Sequence, residues 1–200
     1  MIDLKQVLIG EPTRLRYVKR FSICPKVHEE SVAEHSYYVA FICLMLGEDL
    51  MNQGFVKLNL GMLLSRALIH DLDEVFSGDF IRMFKHQNII VEEAINATSK
   101  ILVERFTQNY PAGKKLLDYW ENSKSEDLEG SILAFADFLS VLSYIWQEIH
   151  AGNHIMFTQL DELEKFCGLF SSTKFEPLWE YQMEAQFMLK ELRRIECKTK

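Results

Sequence analysis

The sequence predicts an all-α chain organised as one helical domain. Three observations carry this. Apolar residues recur at helical spacing between the joints, no alternating β-branched run meets a hairpin turn, and the four prolines and nine glycines sit at plausible joints. The elements follow in order. Thr13 to Phe21 is a short basic amphipathic stretch, and Ser22 to Glu30 reads as a loop. Ser31-Val32-Ala33-Glu34 has the form of a capping box, in which the Ser hydroxyl takes the backbone N–H three residues on and Glu34 reaches back. A helix therefore starts at Ser31 and runs to about Leu50. Leu60 to His70 is the next apolar segment, and Leu72 to Asp79 a second loop. Ile89 to Phe106 and Lys114 to Glu121 follow. Leu128 to Ile149 is long and strongly apolar on one side, and Glu176 to Ile195 closes the chain. No repeat, low-complexity segment or domain linker interrupts residues 1–200. They read as one domain with a core of about residues 14–150 and a C-terminal helical extension, 151–200.

Composition narrows the function. The 200 residues carry 22 Lys+Arg against 29 Asp+Glu, a net charge of −7, which argues against a nucleic-acid polymer or an anionic membrane as partner. The longest apolar run, Val39 to Leu46, is far shorter than the ~20 residues of a membrane helix. Cys24, Cys43, Cys167 and Cys197 form no Cys-x-x-Cys pair and read as reduced thiols. Met-Ile-Asp-Leu-Lys lacks the pattern of a signal peptide, so a cytoplasmic protein is expected. A small anionic substrate remains compatible with the acidic balance, because a pocket needs only a local cluster of cations.

Polar residues on apolar faces mark the chemistry. Asp137 has Leu133, Ala134, Ser140 and Val141 three and four residues away. An ionised carboxylate on such a stripe must be paired, hydrogen-bonded, protonated or bound to metal. His35 shares a face with Tyr38, Val39 and Ile42, where a hydrogen-bonded core histidine is the plain alternative to a ligand. His70-Asp71 ends an apolar helix. Together these two imidazoles and two carboxylates offer four ligands from three helices, a sensible mixed N/O set for one divalent ion such as Co, Mn or Mg. A six-coordinate ion would keep two positions open, as a catalytic site requires. Glu74 lies three residues beyond Asp71, and Asp79 follows a turn glycine; both are candidates for acid/base work. Asp73 reads as a solvated loop acid. Arg20, Arg82 and Lys85 are cations suited to a phosphate.

These residues resemble the HD-domain phosphohydrolase superfamily, whose pattern is His … His-Asp … Asp on an all-α core. They resemble most its bacterial 5′-deoxyribonucleotidase (YfbR-like) family. The matching segments are Arg20-Phe21, Glu30-Ser31-Val32-Ala33-Glu34-His35-Ser36 and His70-Asp71-Leu72-Asp73-Glu74-Val75-Phe76-Ser77-Gly78-Asp79. The resemblance implies an HD-domain helical bundle that cleaves phosphate from nucleotides. It implies His35, His70, Asp71 and Asp137 as metal ligands. It further implies Glu74 acting on the attacking water or the leaving oxygen, Arg20 on the phosphate, and Phe21 and Asp79 on the sugar or leaving-group side. Two positions depart from the pattern. Phe21 stands where the family often has Trp, and Phe80-Ile81-Arg82-Met83-Phe84 replaces a Pro-Thr-Pro segment. A helix there would put Arg82 and Lys85 on one face, so di- and triphosphates are expected substrates alongside monophosphates. The competing readings are a nucleoside triphosphate phosphohydrolase of dNTP control or nucleoside-antibiotic metabolism, and a non-catalytic nucleotide-binding module. A two-metal HD enzyme would need further converging histidines, and His86, His150 and His154 show no such pattern. Apolar residues such as Trp179 and Met183 suggest a homodimer.

Overall fold

The structure, a computed structural model, describes residues 4–54, 57–79, 88–171 and 173–199. Among these residues there is no strand, and one isolated antiparallel bridge pairs Lys19 with Ser31. The α-helices are α1 (Leu4–Ile9), α2 (Val32–Asn52), α3 (Leu60–Ile69), α4 (Glu74–Ser77), α5 (Ile89–Thr107), α6 (Gly113–Glu121), α7 (Leu128–His150), α8 (Leu160–Leu169) and α9 (Trp179–Thr199). Short 3₁₀ turns at Glu11–Arg16, His154–Gln159 and Thr173–Leu178 link some of them.

Three long-lived signals in the sequence start the central helices. At α2 the capping box forms on both sides: Glu34 N–H donates to Ser31 Oγ, and Ser31 N–H donates to Glu34 Oε2 at 2.7 Å. Asn59 caps α3 through Met62 N–H, and Asp127 caps α7 through Gly130 N–H. Each cap satisfies a donor that the first helical turn leaves free. The last helix begins later than the periodicity suggests. Glu176 and Pro177 belong to a 3₁₀ turn, and the proline, which has no N–H to give, precedes the α-helix instead of joining it. Helix α8 escapes the sequence reading because its apolar stripe is only Leu160, Leu163 and Cys167.

Helices α2, α3 and α7 form the centre. Val39, Cys43, Leu46 and Leu50 of α2, spaced four, three and four apart, meet Leu63 and Ala67 of α3 and Ile132, Phe135, Leu142 and Ile145 of α7. Gly47 lets α2 and α3 approach, since a Cβ there would stand 2.8 Å from Leu60 Cδ1. Cys167, Phe170, Leu178, Ala185, Leu189 and Leu192 belong to this same core. By length and composition α7 could cross a bilayer, but 67% of its apolar stretch is buried inside the bundle, as a central core helix should be. A second, smaller core of Leu72, Val103 and Phe106 seats α4 against α5.

Two polar ties fix α3 against the start of α7. The buried Arg66 Nη1 lies 2.8 Å from both Asp127 carboxylate oxygens, and Asn59 N–H donates to Glu129 Oε1 at 2.7 Å. They set the register between the end of α3 and the middle of α7, where the sequence places its site residues.

Candidate metal centre and active site

His35 lies in the first turns of α2, His70 caps the C-terminus of α3, Asp71 follows in the turn beyond, and Asp137 lies midway along α7. The structure brings them together. Ligand atoms of His35, His70 and Asp71 all lie within 4.8 Å of one another. Asp137 Oδ1 stands 3.0 Å from His35 Nε2, at the edge of this group, and Asp71 Oδ2 stands 3.1 Å from His70 Nε2. Of the face expected for His35, Val39 is buried, whereas Tyr38 points outward and is 54% exposed.

The ring orientations are fixed from behind. His70 Nδ1–H donates to Ala67 O at 2.7 Å, which leaves Nε2 facing Asp71. His35 Nδ1 lies 3.1 Å from Ser140 Oγ and 2.6 Å from Arg20 Nη1. The Nε2 atoms of both histidines are buried and make no aligned hydrogen bond. Two imidazole nitrogens and the neighbouring carboxylates therefore converge with no partners beyond one another. Buried polar atoms are seldom left so, and a divalent cation is the partner this donor set fits.

Charge follows the same logic. Burial opposes the charge on His70, yet Asp71 beside it outweighs burial and raises the imidazolium to about 9. Burial also opposes Asp71, and His70 overcomes it, holding that carboxyl well below the carboxylate range. Burial opposes the Asp137 charge, and the close His35 Nε2 with the His70 imidazolium outweighs it, holding that carboxyl at about 2. His35 is lowered by burial first and by Arg20 next, so it is neutral.

Glu74 opens α4, and its Oε2 is buried without a hydrogen-bond partner. Burial, then Asp71 and Asp79, push its carboxyl up to about 10, so it carries a proton at neutral pH. Asp79 follows Gly78, whose φ of 72° turns the chain at the end of α4. Its Oδ2 accepts from Phe21 N–H at 3.1 Å. Phe21 itself has φ of 52°, a left-handed backbone that a bulky residue adopts only when its surroundings hold it. Its ring stacks on Tyr144 at 4.9 Å and 9°. Arg20 Nη1 donates to Glu30 Oε2 at 3.0 Å. Burial opposes the Arg20 charge, but Asp137, Glu30 and Asp71 more than offset it. Arg82 and Lys85 lie outside the described residues.

Some residues around the site escape the sequence reading. Asp73 is buried, where the sequence suggested a solvated loop acid: Trp120 Nε1–H donates to its Oδ1 and Ser99 Oγ–H to its Oδ2. Lys26 Nζ donates to Arg20 O at 2.7 Å. Ser140, Tyr144 and Glu148 join Asp137 on one polar stripe of α7, spaced three, four and four residues apart. That spacing was the available signal, because Glu148 sits among apolar neighbours as Asp137 does.

Comparison with known proteins gives this geometry its relatives. A family model described as 5′-deoxynucleotidase YfbR-like matches residues 9–166. The 5′-deoxynucleotidase YfbR of Salmonella arizonae is 29% identical over 169 residues, covering 82% of this chain and 83% of that protein. An HD-domain phosphohydrolase from Listeria innocua superposes with a TM-score of 0.67 at 21% identity, covering 91% of this chain and 98% of that one. The HD phosphohydrolase DatZ of cyanophage S-2L, solved with dA and one catalytic Zn²⁺ ion, superposes with a TM-score of 0.61 at 17% identity, covering 94% and 95%.

Proposed function

The chain belongs to the 5′-deoxynucleotidase YfbR-like family and is a metal-dependent nucleotide phosphohydrolase, and we propose that it removes the phosphate from deoxynucleoside 5′-monophosphates. The observation that carries this reading is the pair of buried, unclaimed Nε2 atoms of His35 and His70 facing Asp71 and Asp137, with Arg20 alongside. In this reading His35, His70, Asp71 and Asp137 hold one divalent ion. Two imidazoles in the set favour Co²⁺ or Mn²⁺ over Mg²⁺. Such an ion supplies Lewis-acid polarisation of the phosphoryl group and lowers the pKa of water.

The chain's own residues do the rest. Arg20, kept charged and aimed by Glu30, binds a phosphate oxygen through its planar fork. Glu74, whose carboxyl pKa burial raises, gives its proton to the departing sugar oxygen as a water oxygen takes its place on phosphorus, and it regains a proton from that water, so that the leaving group departs as an alcohol. Asp79, bonded to Phe21 N–H beside Arg20, accepts from a sugar hydroxyl, and the Phe21 ring forms the wall on that side. The four thiols are free, which supports a reducing compartment, the cytoplasm. Trp179, Met183 and Phe187, one turn apart and exposed on α9, support a homodimer.

The test is a phosphate-release panel of deoxy- and ribonucleoside mono-, di- and triphosphates with Mg²⁺, Mn²⁺ and Co²⁺. Release from deoxynucleoside monophosphates with Co²⁺ or Mn²⁺ is expected. No release from any nucleotide by protein that holds one ion per chain overturns the reading. The triphosphate arm, run with Arg82→Ala beside the wild type, tests whether Arg82 and Lys85 extend the site to further phosphates.

A further inference from the structure

Helix α7 carries a buried carboxylate that the chemistry above does not use. Glu148 is fully buried, and its carboxylate accepts four hydrogen bonds: from Val27 N–H at 2.8 Å, His28 N–H at 2.7 Å, the His28 ring at 2.9 Å and Asn153 Nδ2 at 2.6 Å. Two successive main-chain N–H groups pointing at one carboxylate make an anion nest, which here is filled by the protein itself. These bonds hold the Glu148 charge and depress its pKa, although burial opposes that. Burying a charge so deeply is tolerated only because every lone pair is used.

What Glu148 grips is the segment between Arg20 and α2. The same helix adds Tyr144, whose hydroxyl donates to His28 O at 2.7 Å and whose ring takes the Phe21 stack. Asn153 also donates to Pro25 O at 2.9 Å. From within the segment Lys26 reaches back to Arg20 O. At its two ends the chain pairs with itself: Arg20 N–H donates to Glu30 O and Val32 N–H donates to Val18 O, both at 3.0 Å. The segment is therefore a strap, pinned at its middle by α7 and at its ends by the Lys19–Ser31 bridge. Arg20 and Phe21 stand where it leaves the bridge. This stack, the strap and the bond to Asp79 help hold Phe21 in its left-handed backbone, together with the Arg20 guanidinium over its ring and its packing on the core.

We infer that Glu148 is a positioning residue: it clamps residues 21–30 to α7 and so presents the Arg20 guanidinium and the Phe21 backbone to the substrate's phosphate and sugar. The inference rests on Arg20 binding phosphate. Glu148 lies on the same stripe of α7 as Asp137, eleven residues on, so one rigid helix carries both a metal ligand and the clamp on the strap.

The experiment measures KM, kcat, metal content and melting temperature for Glu148→Gln, Tyr144→Phe, Arg20→Ala and the double variant Arg20→Ala/Glu148→Gln. Glutamine keeps the shape but cannot accept from all four donors at once. Glu148→Gln is expected to raise KM about tenfold, as a misplaced binding group does, with kcat within about twofold and one ion per chain retained. Tyr144→Phe keeps the ring stack and loses one bond, so KM moves the same way and less. In the double variant the Glu148 effect shrinks, because the Arg20 guanidinium is gone and only the Phe21 backbone is left for the clamp to present. Unchanged KM in Glu148→Gln, or a KM effect that adds in full to that of Arg20→Ala, overturns the inference. Should Glu148→Gln fail to fold, Tyr144→Phe decides on the same criteria. An unchanged KM in Arg20→Ala itself overturns the phosphate role of Arg20, whereas a raised KM there with none in Glu148→Gln or Tyr144→Phe overturns the clamp alone.

Discussion

Asp73 offers a sharp test of how the acid Glu74 is held. The two residues are adjacent, and α4 is only one turn long, with Phe76 N–H bonded to Asp73 O at 3.0 Å. So short a helix has little stability of its own. Its anchor is the Asp73 carboxylate, buried between α5 and α6 and holding Ser99 at 2.8 Å and Trp120 at 3.1 Å. Asp73→Ala orphans both donors. A buried group left unsatisfied costs about 1–3 kcal/mol. The Ser99 hydroxyl can rotate towards a helix carbonyl and so falls at the low end, whereas the indole N–H of Trp120 points in a fixed direction. The sum is about 2–4 kcal/mol. At roughly 2–4 °C per kcal/mol for a chain of this size, melting should fall by about 4–16 °C.

Asp73→Asn separates geometry from charge. The amide oxygen still accepts from Trp120, and the NH₂ donates to Ser99 Oγ once that hydroxyl turns, so the network closes again. Only the charge assistance is lost, about 0.5–1.5 kcal/mol. Calorimetric melts and kcat are the readouts. Asp73→Ala should lose stability and kcat together, because Glu74 is no longer held, and Asp73→Asn should recover most of both. An alanine variant within about 0.5 kcal/mol of wild type, or an asparagine variant as damaged as alanine, would refute the anchor.

The remaining predictions concern the metal and the acid. Asp137→Asn keeps the shape but removes a ligand charge, so ion content after dialysis and activity should fall together; normal ion content with lower stability would make Asp137 a purely structural acid. Glu74→Gln should keep the ion and lose about 10²–10⁴-fold in kcat, and near wild-type turnover would remove Glu74 from the chemistry. In chelator-treated protein the His70 imidazolium, raised to about 9, contributes stability that is full below its unfolded value near 6.5 and lost as pH rises through 9. An incoming ion must displace that proton, so apparent affinity should rise about tenfold per pH unit between 7 and 9 and then level off, with about one proton released per ion in calorimetry. A flat profile would contradict the charge state assigned to His70.

The parts of the molecule legible in the sequence share a physical cause. The cap at Ser31 and the long apolar helices are local, written in residues a few positions apart, and α2, α3 and α7 begin and end within two residues of where periodicity puts them. His35 and Asp137 were legible because a polar group on an apolar face demands a partner. Asp73 was not, because its partners Ser99 and Trp120 come from helices 26 and 47 residues away. Nothing in the Asp73 neighbourhood distinguishes a buried acid from a solvated one. Glu30 was read only as part of a resemblance; its grip on Arg20 depends on the bridge that brings residues 20 and 30 together.

The polar stripe of α7 ties these strands into one mechanical argument. At 100° per residue, Asp137 and Glu148 differ by about 20° around the helix axis and by roughly 16 Å along it. Ser140 and Tyr144 fall between them on the same face, the first against His35 and the second beneath Phe21. A helix buried for most of its length moves as a unit. Displacing α7 would carry Asp137, the backing of the His35 ring, the aromatic shelf and the clamp together, away from His35, His70 and Asp71 on α2 and α3, so the site depends on α7 holding its place against those two helices. A rotation of α7 about its own axis would likewise swing all four side chains off the site at once. Burial of Phe135, Phe138, Leu142 and Ile145 on its other faces is what opposes that rotation. Large-to-small changes there should therefore disturb catalysis through geometry before they unfold the protein.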